Sequence, residues 1–540
     1  MSKTTMTPGH RWSAALAVTF TVLGALAGPS LASADTLALA KTGLRLMDGN
    51  GQVLAEMPMR AKRWDQRLLP DGRQVALVQD ADSGALRLIE ARRDRLVERR
   101  HWAGPAFNVE ALCLYLPAGQ PLLQAFLLGD DGLGEQWLVD DGASASASAS
   151  PVMRRLASAP DAKGCAVRDE EATLYVPEAG VGLWAQSAEA ERHERQLVAP
   201  GLAPADMGLW LSAHAAERRP TLPVLVPSAQ TAPVRGSGDA ADDPAIWVNA
   251  RQPAASRILG TDKKLGLAVY DLQGQEVQFL PVGRVNNVDL RQGLRYDRQA
   301  WDLAVATQRD RRSVVLFGIT PQGRVQTLAE LPTGLEDVYG ICSGRNPSGG
   351  LDVFVNDKDG RVLQLRVTRD GQQWQGRQVG QFKLETQPEG CVVDEAGQQL
   401  FIGEEKRGVW RVALTGDGAM GEARMILPVG ELLTADVEGM GVHRSADGAW
   451  LVVSAQGSDS FVVLAADPPY AVKGRFRVGM NAERGIDAVS ETDGLEVTSA
   501  HLGGPYAKGL LVVQDGHRRW PTGRQNFKLV PWTEVMRALP

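Results

Sequence analysis

A chain of 540 residues is too long for one hydrophobic core, so two or more domains are expected. Hydrophobic residues at 44% and charged residues at 23% are typical of a soluble globular protein. The formal net charge of −6 argues against a nucleic-acid-binding protein, which would usually carry a basic patch.

The N-terminus has the pattern of a secretory signal peptide. Basic residues precede an apolar run at 14–27, and Ala32-Ser33-Ala34 has the form of a cleavage site. An uncleaved anchor is the alternative, although the run is short for a membrane span. Residues 1–34 are therefore predicted to be removed. The mature chain is expected to be secreted or periplasmic, monomeric and without a membrane span.

Residues 35–215 are predicted to be a shortened, diverged copy of the second part of the chain. The segment GCAVRDEEATLYVPEAGVGLW at 164–184 matches GCVVDEAGQQLFIGEEKRGVW at 390–410 without a gap. FNVEALC at 107–113 likewise matches EDVYGIC at 336–342. The first part has room for about four repeat units, with a low-complexity loop (ASASASAS) at 143–150. Residues 216–235, rich in Pro and Ala, are predicted to be a linker.

Residues 236–540 are predicted to form a six-bladed β-propeller. Short runs rich in β-branched residues are paired across turns that contain Gly or Asp, as in β-hairpins. Six similar segments precede the hairpins: DDPAIW, NNVDLR, EDVYGIC, QPEGCVV, DVEGMGV and TDGLEV. Their spacings of 45, 50, 51, 49 and 56 residues are typical of propeller blades of four strands. The whole chain is therefore expected to be all-β, with the six segments meeting at one end of a central channel.

The four cysteines occupy matching positions in the two copies. Cys113 corresponds to Cys342, and Cys165 corresponds to Cys391. Each pair would lie on the inner strands of neighbouring blades. Because export allows disulfides, we predict the bonds Cys113–Cys165 and Cys342–Cys391. The alternative is four buried small hydrophobic side chains.

Many carboxylates would converge at the channel mouth. The acidic residues of the six segments are Asp239, Asp242, Asp243, Asp289, Glu336, Asp337, Glu389, Asp436, Glu438, Asp493 and Glu496. So many like charges at close range require counter-ions. Calcium, which takes six to eight oxygen ligands, is the natural one. The absence of His from these segments disfavours zinc. Turn-capping by individual Asp residues is the alternative explanation.

Basic residues and a tyrosine are expected at the same mouth. They are Lys263 and Lys264 at the start of a hairpin, Arg309 and Lys358 at strand ends, and Tyr339 on one of the six segments. Such a mixture of cations and calcium-binding carboxylates suits a polyanionic substrate, above all a phosphate.

The motifs DAADDPAIW, TDKKLGLAVY, NNVDLR, DVYG, DKDG, QPEGC, DVEG, TDGLEV and QNFKLVPW resemble the β-propeller phytases, in the same order. The resemblance extends from about 239 to 532. It implies a calcium-dependent phosphatase of the 3-phytase type, which hydrolyses phytate (inositol hexakisphosphate) as its calcium complex. The implied mechanism is attack on phosphorus by a water molecule that calcium activates.

The resemblance also implies roles for individual residues. Calcium ligands would be Asp243, Asp337, Glu389, Asp436, Glu438 and Asp493. Asp337 stands where the family commonly has Glu, and its shorter side chain reaches less far. Phosphate ligands would be Lys263 or Lys264, Arg309, Tyr339 and Lys358. Glu404 would activate water or bind calcium.

The first copy lacks most of these groups. Tyr339, Lys358 and Glu389 align with Glu110, Asp130 and Lys163, respectively. The first copy is therefore expected to be inactive, like the incomplete N-terminal domain of dual-domain phytases. Two other functions stay open for the second copy: a calcium-dependent propeller lactonase or esterase, and a non-catalytic binding propeller.

Overall fold

The computed structural model describes residues 35–120, 122–141, 151–218 and 220–540, and most of the regular structure there is β-strand. The strands form ten sheets, which confirms the expected all-β class. The predicted signal peptide at 1–34 and the low-complexity tract at 143–150 lie outside the described residues. Within the described part of the chain, no helix has both the length and the apolar character needed to cross a bilayer.

The first half, residues 35–215, contains four sheets in chain order. The first sheet has strands β1 (Thr36–Ala40), β2 (Gly43–Met47) and β3 (Val53–Pro58). The second has β4 (Ala61–Leu68), β5 (Gln74–Asp80), β6 (Leu86–Arg92) and β7 (Arg95–Trp102). The third has β8 (Val109–Tyr115), β9 (Leu123–Gly129), β10 (Leu133–Asp140) and β11 (Val152–Ala157). The fourth has β12 (Ala166–Arg168), β13 (Thr173–Glu178), β14 (Gly182–Ser187) and β15 (Arg195–Pro200), and helix α1 (Met207–Ala213) follows it.

The segment predicted as a linker carries two short strands, β16 (Val224–Leu225) and β17 (Ala229–Gln230). Both pair with strands near the end of the chain, so part of this segment contributes to the sheets of the second half. Each strand has only two residues, which is too short for a recognisable sequence pattern.

Six sheets form the second half. The first sheet has β18 (Ala241–Trp247), β19 (Arg257–Asp262), β20 (Gly266–Tyr270) and β21 (Glu276–Leu280), and the second has β22 (Val285–Tyr296), β23 (Gln299–Gln308), β24 (Ser313–Ile319) and β25 (Val325–Pro332). The third has β26 (Val338–Arg345), β27 (Leu351–Asp357), β28 (Arg361–Asp370) and β29 (Gln373–Lys383). The fourth has β30 (Pro388–Asp394), β31 (Gln399–Glu404), β32 (Gly408–Leu414) and β33 (Met420–Pro428). The fifth has β34 (Val437–Ser445), β35 (Gly448–Ala455), β36 (Ser460–Ala465) and β37 (Val472–Val478), with β16 added beside β37. The sixth has β38 (Leu495–Thr498), β39 (Leu510–Asp515) and β40 (Asn526–Pro531), with β17 added beside β40 and helix α2 (Trp532–Ala538) after it.

The first strands of these six sheets form a closed ring around a channel. Each of β18, β22, β26, β30, β34 and β38 contacts the next, and β38 contacts β18. The last sheet takes its outer strand, β17, from before the first sheet, which joins the two ends of the ring. Short 3₁₀ helices connect some strands: Asp169–Glu171, Pro204–Asp206, Pro253–Ala255, Gln456–Ser458, Ala482–Arg484 and Gly504–Tyr506.

The hydrophobic cores lie between neighbouring sheets. One cluster, for example, packs Leu259 and Val269 of the first sheet against Val315 and Phe317 of the second. Burial of such aliphatic and aromatic side chains contributes about 1.5–3 kcal/mol each. The predicted disulfides Cys113–Cys165 and Cys342–Cys391 are both present and link adjacent sheets in each half.

A glycine repeated in both halves shows how the hairpins are built. Gly408, at the start of β32, has φ +142°, and a Cβ there would lie 2.3 Å from the carbonyl oxygen of Leu427. Its counterpart Gly182 has φ +139° and would meet the carbonyl oxygen of Ala199 at 2.2 Å. A side chain would therefore push the next strand away at this point of the blade.

Candidate active site

Segments from several sheets surround a cavity of about 690 Å³ at one end of the channel, which we call the mouth cavity. It is lined by Gly238, Asp239, Lys263, Tyr339, Glu389, Glu405, Asp436, Glu438, Gln456, Glu491, Asp493, Gln514, Gly516, His517, Arg518, Arg519, Thr522, Gly523, Arg524 and Gln525. The expected convergence of acidic and basic side chains at the channel mouth is therefore present.

Three carboxylates are close enough to share one cation. Glu389, Glu405 and Glu438 each present a carboxylate oxygen within 4.8 Å of the other two. Burial raises the pKa of Glu389 to about 7. Burial and the neighbouring Glu389 also hold the pKa of Glu438 well above its usual range. One buried oxygen of Glu438, Oε2, has no hydrogen-bond partner. Lys263 lies close enough to influence Glu389, and Lys358 and Lys406 influence Glu405, but none of the ion pairs among the described residues includes any of the three carboxylates. Buried carboxylates grouped in this way are suitable ligands for a hard cation.

Lys263 links the acidic residues of the first and last sheets. Its Nζ lies 2.8 Å from Asp239 Oδ1, 3.3 Å from Asp242 Oδ2 and 2.8 Å from Asp493 Oδ2. Burial alone would lower the lysine pKa, but Asp242 and Asp493 outweigh it and raise that pKa. Burial raises the pKa of Asp493 although Lys263 opposes the shift.

Tyr339 lies between two cations on its aromatic face. Lys358 Nζ is 4.0 Å from the ring centroid, and the guanidinium carbon of Arg309 is 5.4 Å from it. Burial raises the pKa of the Tyr339 hydroxyl, so it stays protonated and can donate a hydrogen bond. Arg309 also approaches Asp337, which is exposed, at 3.4 Å. Three of the residues expected to bind phosphate thus lie together.

Asp436, another predicted calcium ligand, also lies at this end of the channel. It lines the mouth cavity and forms an ion pair with Lys406, which follows β31.

Two residues predicted for the site, Lys264 and Glu404, do not line the mouth cavity. Lys264 is exposed, and its Nζ donates to the carbonyl of Ser237, so the geometry favours Lys263 as the lysine in the site. Glu404 is fully buried and does not line the mouth cavity. Its carboxylate accepts hydrogen bonds from Thr386 and from Trp410 Nε1, at 2.7 and 2.8 Å. Glu404 thus occupies a buried packing position in this structure, and its role in activating water or binding calcium stays a prediction.

The first half repeats the bond between Glu404 and Trp410. In the first half, Trp184 Nε1 donates to Glu178 at 2.6 Å, and these two residues align with Trp410 and Glu404. The bond is therefore a structural feature that the two halves share. Glu405, the next residue, aligns with Ala179 in the first half. That difference is the signal in the sequence that distinguishes Glu405 from Glu404.

Asp243 lies apart from the mouth cavity, in a second, smaller cavity that the inner strands line. Asp289 and Glu496 line the same cavity. The Oδ2 atom of Asp243 accepts a hydrogen bond from the amide of Val288 at 3.0 Å. Burial and the neighbouring Asp242 raise the pKa of Asp243 well above its usual range. Asp242, which precedes it, takes the position beside Lys263.

Comparison with known proteins identifies the family of the chain. The sequence profile of the phytase family ("Phytase") matches residues 196–540. The chain belongs to the phytase family. A 3-phytase of Bacillus subtilis (strain 168) is 33% identical over 327 residues, which are 57% of this chain and 84% of that protein. A structure of a functionally unknown protein from Desulfotomaculum acetoxidans DSM 771 covers 64% of this chain and 92% of that one, at 12% identity and a TM-score of 0.33.

Membership of the phytase family confirms the expected enzyme class, a phosphatase that acts on phytate. The matched region contains the whole ring of six sheets and the mouth cavity. It also includes β16 and β17, in agreement with their place in the ring.

Proposed function

We propose that the second half is a calcium-dependent phosphomonoester hydrolase of the 3-phytase type, which releases phosphate from phytate by attack of water. The observation that carries the proposal is the cluster of Glu389, Glu405 and Glu438 in one cavity with Lys263 and Tyr339, in a member of the phytase family.

The residues present fit several calcium ions. Glu389, Glu405 and Glu438 would hold one, with Asp436 and Asp493 beside them in the same cavity. The unpartnered buried oxygens of Glu438 and Asp242 are the acceptors that such an ion would need. Asp243, together with Asp289 and Glu496, is the candidate site for a separate ion in the channel. Asp337 is exposed beside Arg309 and does not line the mouth cavity, so it could bind calcium only at the outer edge of the site.

The cations of the site would bind the phosphate group that reacts. Lys263, Arg309 and Lys358 would offset the charge on its oxygens, and the Tyr339 hydroxyl would donate a hydrogen bond to one of them. When bound, calcium would lower the pKa of a water molecule and neutralise charge that develops on phosphate. Water forms the new bond to phosphorus, the bond from phosphorus to the inositol oxygen breaks, and that oxygen takes up a proton.

Phosphate release from calcium phytate at neutral pH tests the proposal. We expect release with calcium and none after a chelator is added, with recovery when calcium is restored. Release that is unaffected by the chelator would contradict the calcium requirement.

Two substitutions separate this function from the alternatives. Arg309→Glu and Lys358→Glu reverse charges that a phosphate needs and a lactone or carboxyl ester does not. We expect both to abolish phytate hydrolysis. A lactonase or esterase would keep its activity in these variants, and a non-catalytic binding propeller would release no phosphate with or without calcium.

We propose further that the first half has no phosphatase site of its own and that the mature chain is exported as a monomer. At the position of Tyr339, the first half has Glu110, which forms ion pairs with Arg63 at 2.9 Å and Lys62 at 4.0 Å. The chain fits export because it has two disulfides, and no cysteine in its described residues is free.

A further inference from the structure

The two halves meet beside the mouth cavity through specific polar contacts. Gln120 of the first half exchanges two hydrogen bonds with the backbone of Met480, at 2.6 and 3.0 Å. Arg192 of the first half forms an ion pair with the buried Asp459 at 2.6 Å. Asp459 in turn accepts a hydrogen bond from the amide of Glu491, a residue of the mouth cavity, at 2.7 Å.

The first half also holds one loop of the mouth, residues 516–525, which we call the basic loop. Trp520 is 6% exposed and packs in a buried cluster with Leu138, Met153 and Ala190 of the first half. Three residues earlier, the ring of His517 meets the ring of His193 edge to face, with centroids 5.8 Å apart. Two points of the loop, on either side of Arg518 and Arg519, are therefore held by the half that lacks the chemistry.

The basic loop supplies most of the positive charge of the mouth cavity. Seven carboxylates line this cavity with four Lys or Arg side chains, and three of these four, Arg518, Arg519 and Arg524, belong to the loop. The fourth, Lys263, is engaged by aspartates. The Nε atoms of Arg518 and Arg519 are buried without a hydrogen-bond partner, and none of the ion pairs among the described residues includes either side chain. Their guanidinium groups are thus free to bind an anion.

We propose that the first half positions the basic loop, so that Arg518 and Arg519 bind those phosphate groups of the substrate that are not being hydrolysed. The inference rests on the proposed function, because it assigns a substrate class to the same cavity. A substrate with several phosphates around one ring carries negative charge well beyond the reacting group. Contacts with these remote groups increase kcat/KM for such a substrate and contribute nothing for a monophosphate.

The test compares two substrates in the full-length protein. Phosphate release is measured from calcium phytate and from p-nitrophenyl phosphate, a monophosphate too small to reach the loop. We expect Arg518→Ala/Arg519→Ala to raise KM for phytate about tenfold or more, the usual cost of losing charge-assisted hydrogen bonds. The KM for p-nitrophenyl phosphate should change less than about twofold in the same variant. The Lys/Lys double variant should recover part of the loss. Arg155→Ala, an exposed arginine of the first half, is the matched control.

Variants of the first half test the positioning role. Met153→Ala reduces the packing against Trp520, and His193→Ala removes the ring contact with His517. Neither Met153 nor His193 lines the mouth cavity. We expect each to raise KM for phytate about threefold, again without effect on the monophosphate. Combined with the double arginine variant, they should add little, because both changes act through the same contact.

Equal losses for both substrates, or no change for phytate, would overturn the inference. Binding of inositol hexasulfate, a polyanion that cannot release phosphate, is measured by calorimetry in parallel. If the wild-type protein releases no phosphate, the proposed function fails, and the calorimetry still decides the inference. Weaker binding by the arginine variant supports it, and unchanged binding overturns it.

Discussion

Lys263 and Asp493 form an ion pair of 2.8 Å across the junction between the first and last sheets of the ring. Lys263 follows β19, whereas Asp493 precedes β38. The pair therefore joins the place where the ring closes to the centre of the proposed site, and its lysine neutralises Asp239 and Asp242 as well.

Lys263→Ala is expected to lower kcat/KM for phytate by about 100-fold, the usual effect of removing one charge-stabilising donor. Lys264→Ala is the matched variant, and we expect it to keep activity within about threefold because, among the described residues, its Nζ donates only to the backbone carbonyl of Ser237. Steady-state kinetics at saturating calcium provide the measurement. Equal losses in the two variants would mean that the lysines share the role.

Glu405→Gln and Glu404→Gln should separate chemistry from stability. Glu405→Gln removes one carboxylate of the proposed calcium site, so the calcium concentration for half-maximal activity should rise at least tenfold. Glu404→Gln weakens the buried bonds with Thr386 and Trp410 and should lower the free energy of unfolding by about 1–3 kcal/mol. Calcium titrations and chemical denaturation check the two effects. If Glu404→Gln instead raised the calcium requirement and Glu405→Gln changed only the stability, Glu404 would belong to the calcium site.

This pair of residues also shows what the sequence can and cannot predict. The repeat spacing predicted the six sheets, the channel and both disulfides, because blades of similar length place similar residues at the same point. A motif does not determine which of two adjacent residues faces the cavity. For Glu404 and Glu405, and for Lys263 and Lys264, only the structure tells which one lines the mouth cavity. Asp242 and Asp243 lie next to each other in β18, where successive side chains point to opposite faces.

Contacts between distant parts of the chain were beyond the sequence. The closing strand β17 has two residues, and its pairing with β40 follows only from the curvature of the complete ring. The support of Trp520 by Met153 likewise depends on how the two halves pack.

Without calcium, stability should fall as the pH rises. Burial raises the pKa of Glu389 from 4.5 to about 7, so the folded state holds more protons than the unfolded state between these values. The stabilisation is therefore complete below about pH 4.5 and is lost as the pH rises through about 7. In the presence of a chelator, the Tm should therefore decrease as the pH is raised from about 5 to about 8, the range in which Glu389 loses its proton.

Calcium should reverse this trend, since it binds the ionised carboxylates. At free calcium about 100 times its Kd, the gain is about 2.7 kcal/mol at pH 8, and it should shrink towards pH 5. Magnesium at the same concentration is the control, because it fits flexible sites with many carboxylates poorly. A calcium-induced gain that does not depend on pH would contradict the ionisation of buried carboxylates on binding.

Both disulfides should resist alkylation in the unfolded protein. Without reductant, intact mass should show no modified cysteine, and after reduction it should show four. Cys342→Ala/Cys391→Ala opens a loop with a separation of 49 residues. It should lower the free energy of unfolding by about 4 kcal/mol according to the chain-entropy estimate. Four thiols that react without reductant would contradict both bonds.

The stability and activity of truncated fragments should depend on whether they keep β16 and β17. Residues 220–540 keep β16 and β17, so we expect them to fold and release phosphate from calcium phytate, with a raised KM because the basic loop loses its support. Residues 236–540 lack both strands, which leaves an open edge on the fifth and sixth sheets, and we expect a lower Tm and aggregation. Residues 35–215 should release no phosphate. Turnover by this last fragment would contradict the inactive first half, and equal stability of the two longer fragments would show that β16 and β17 are dispensable.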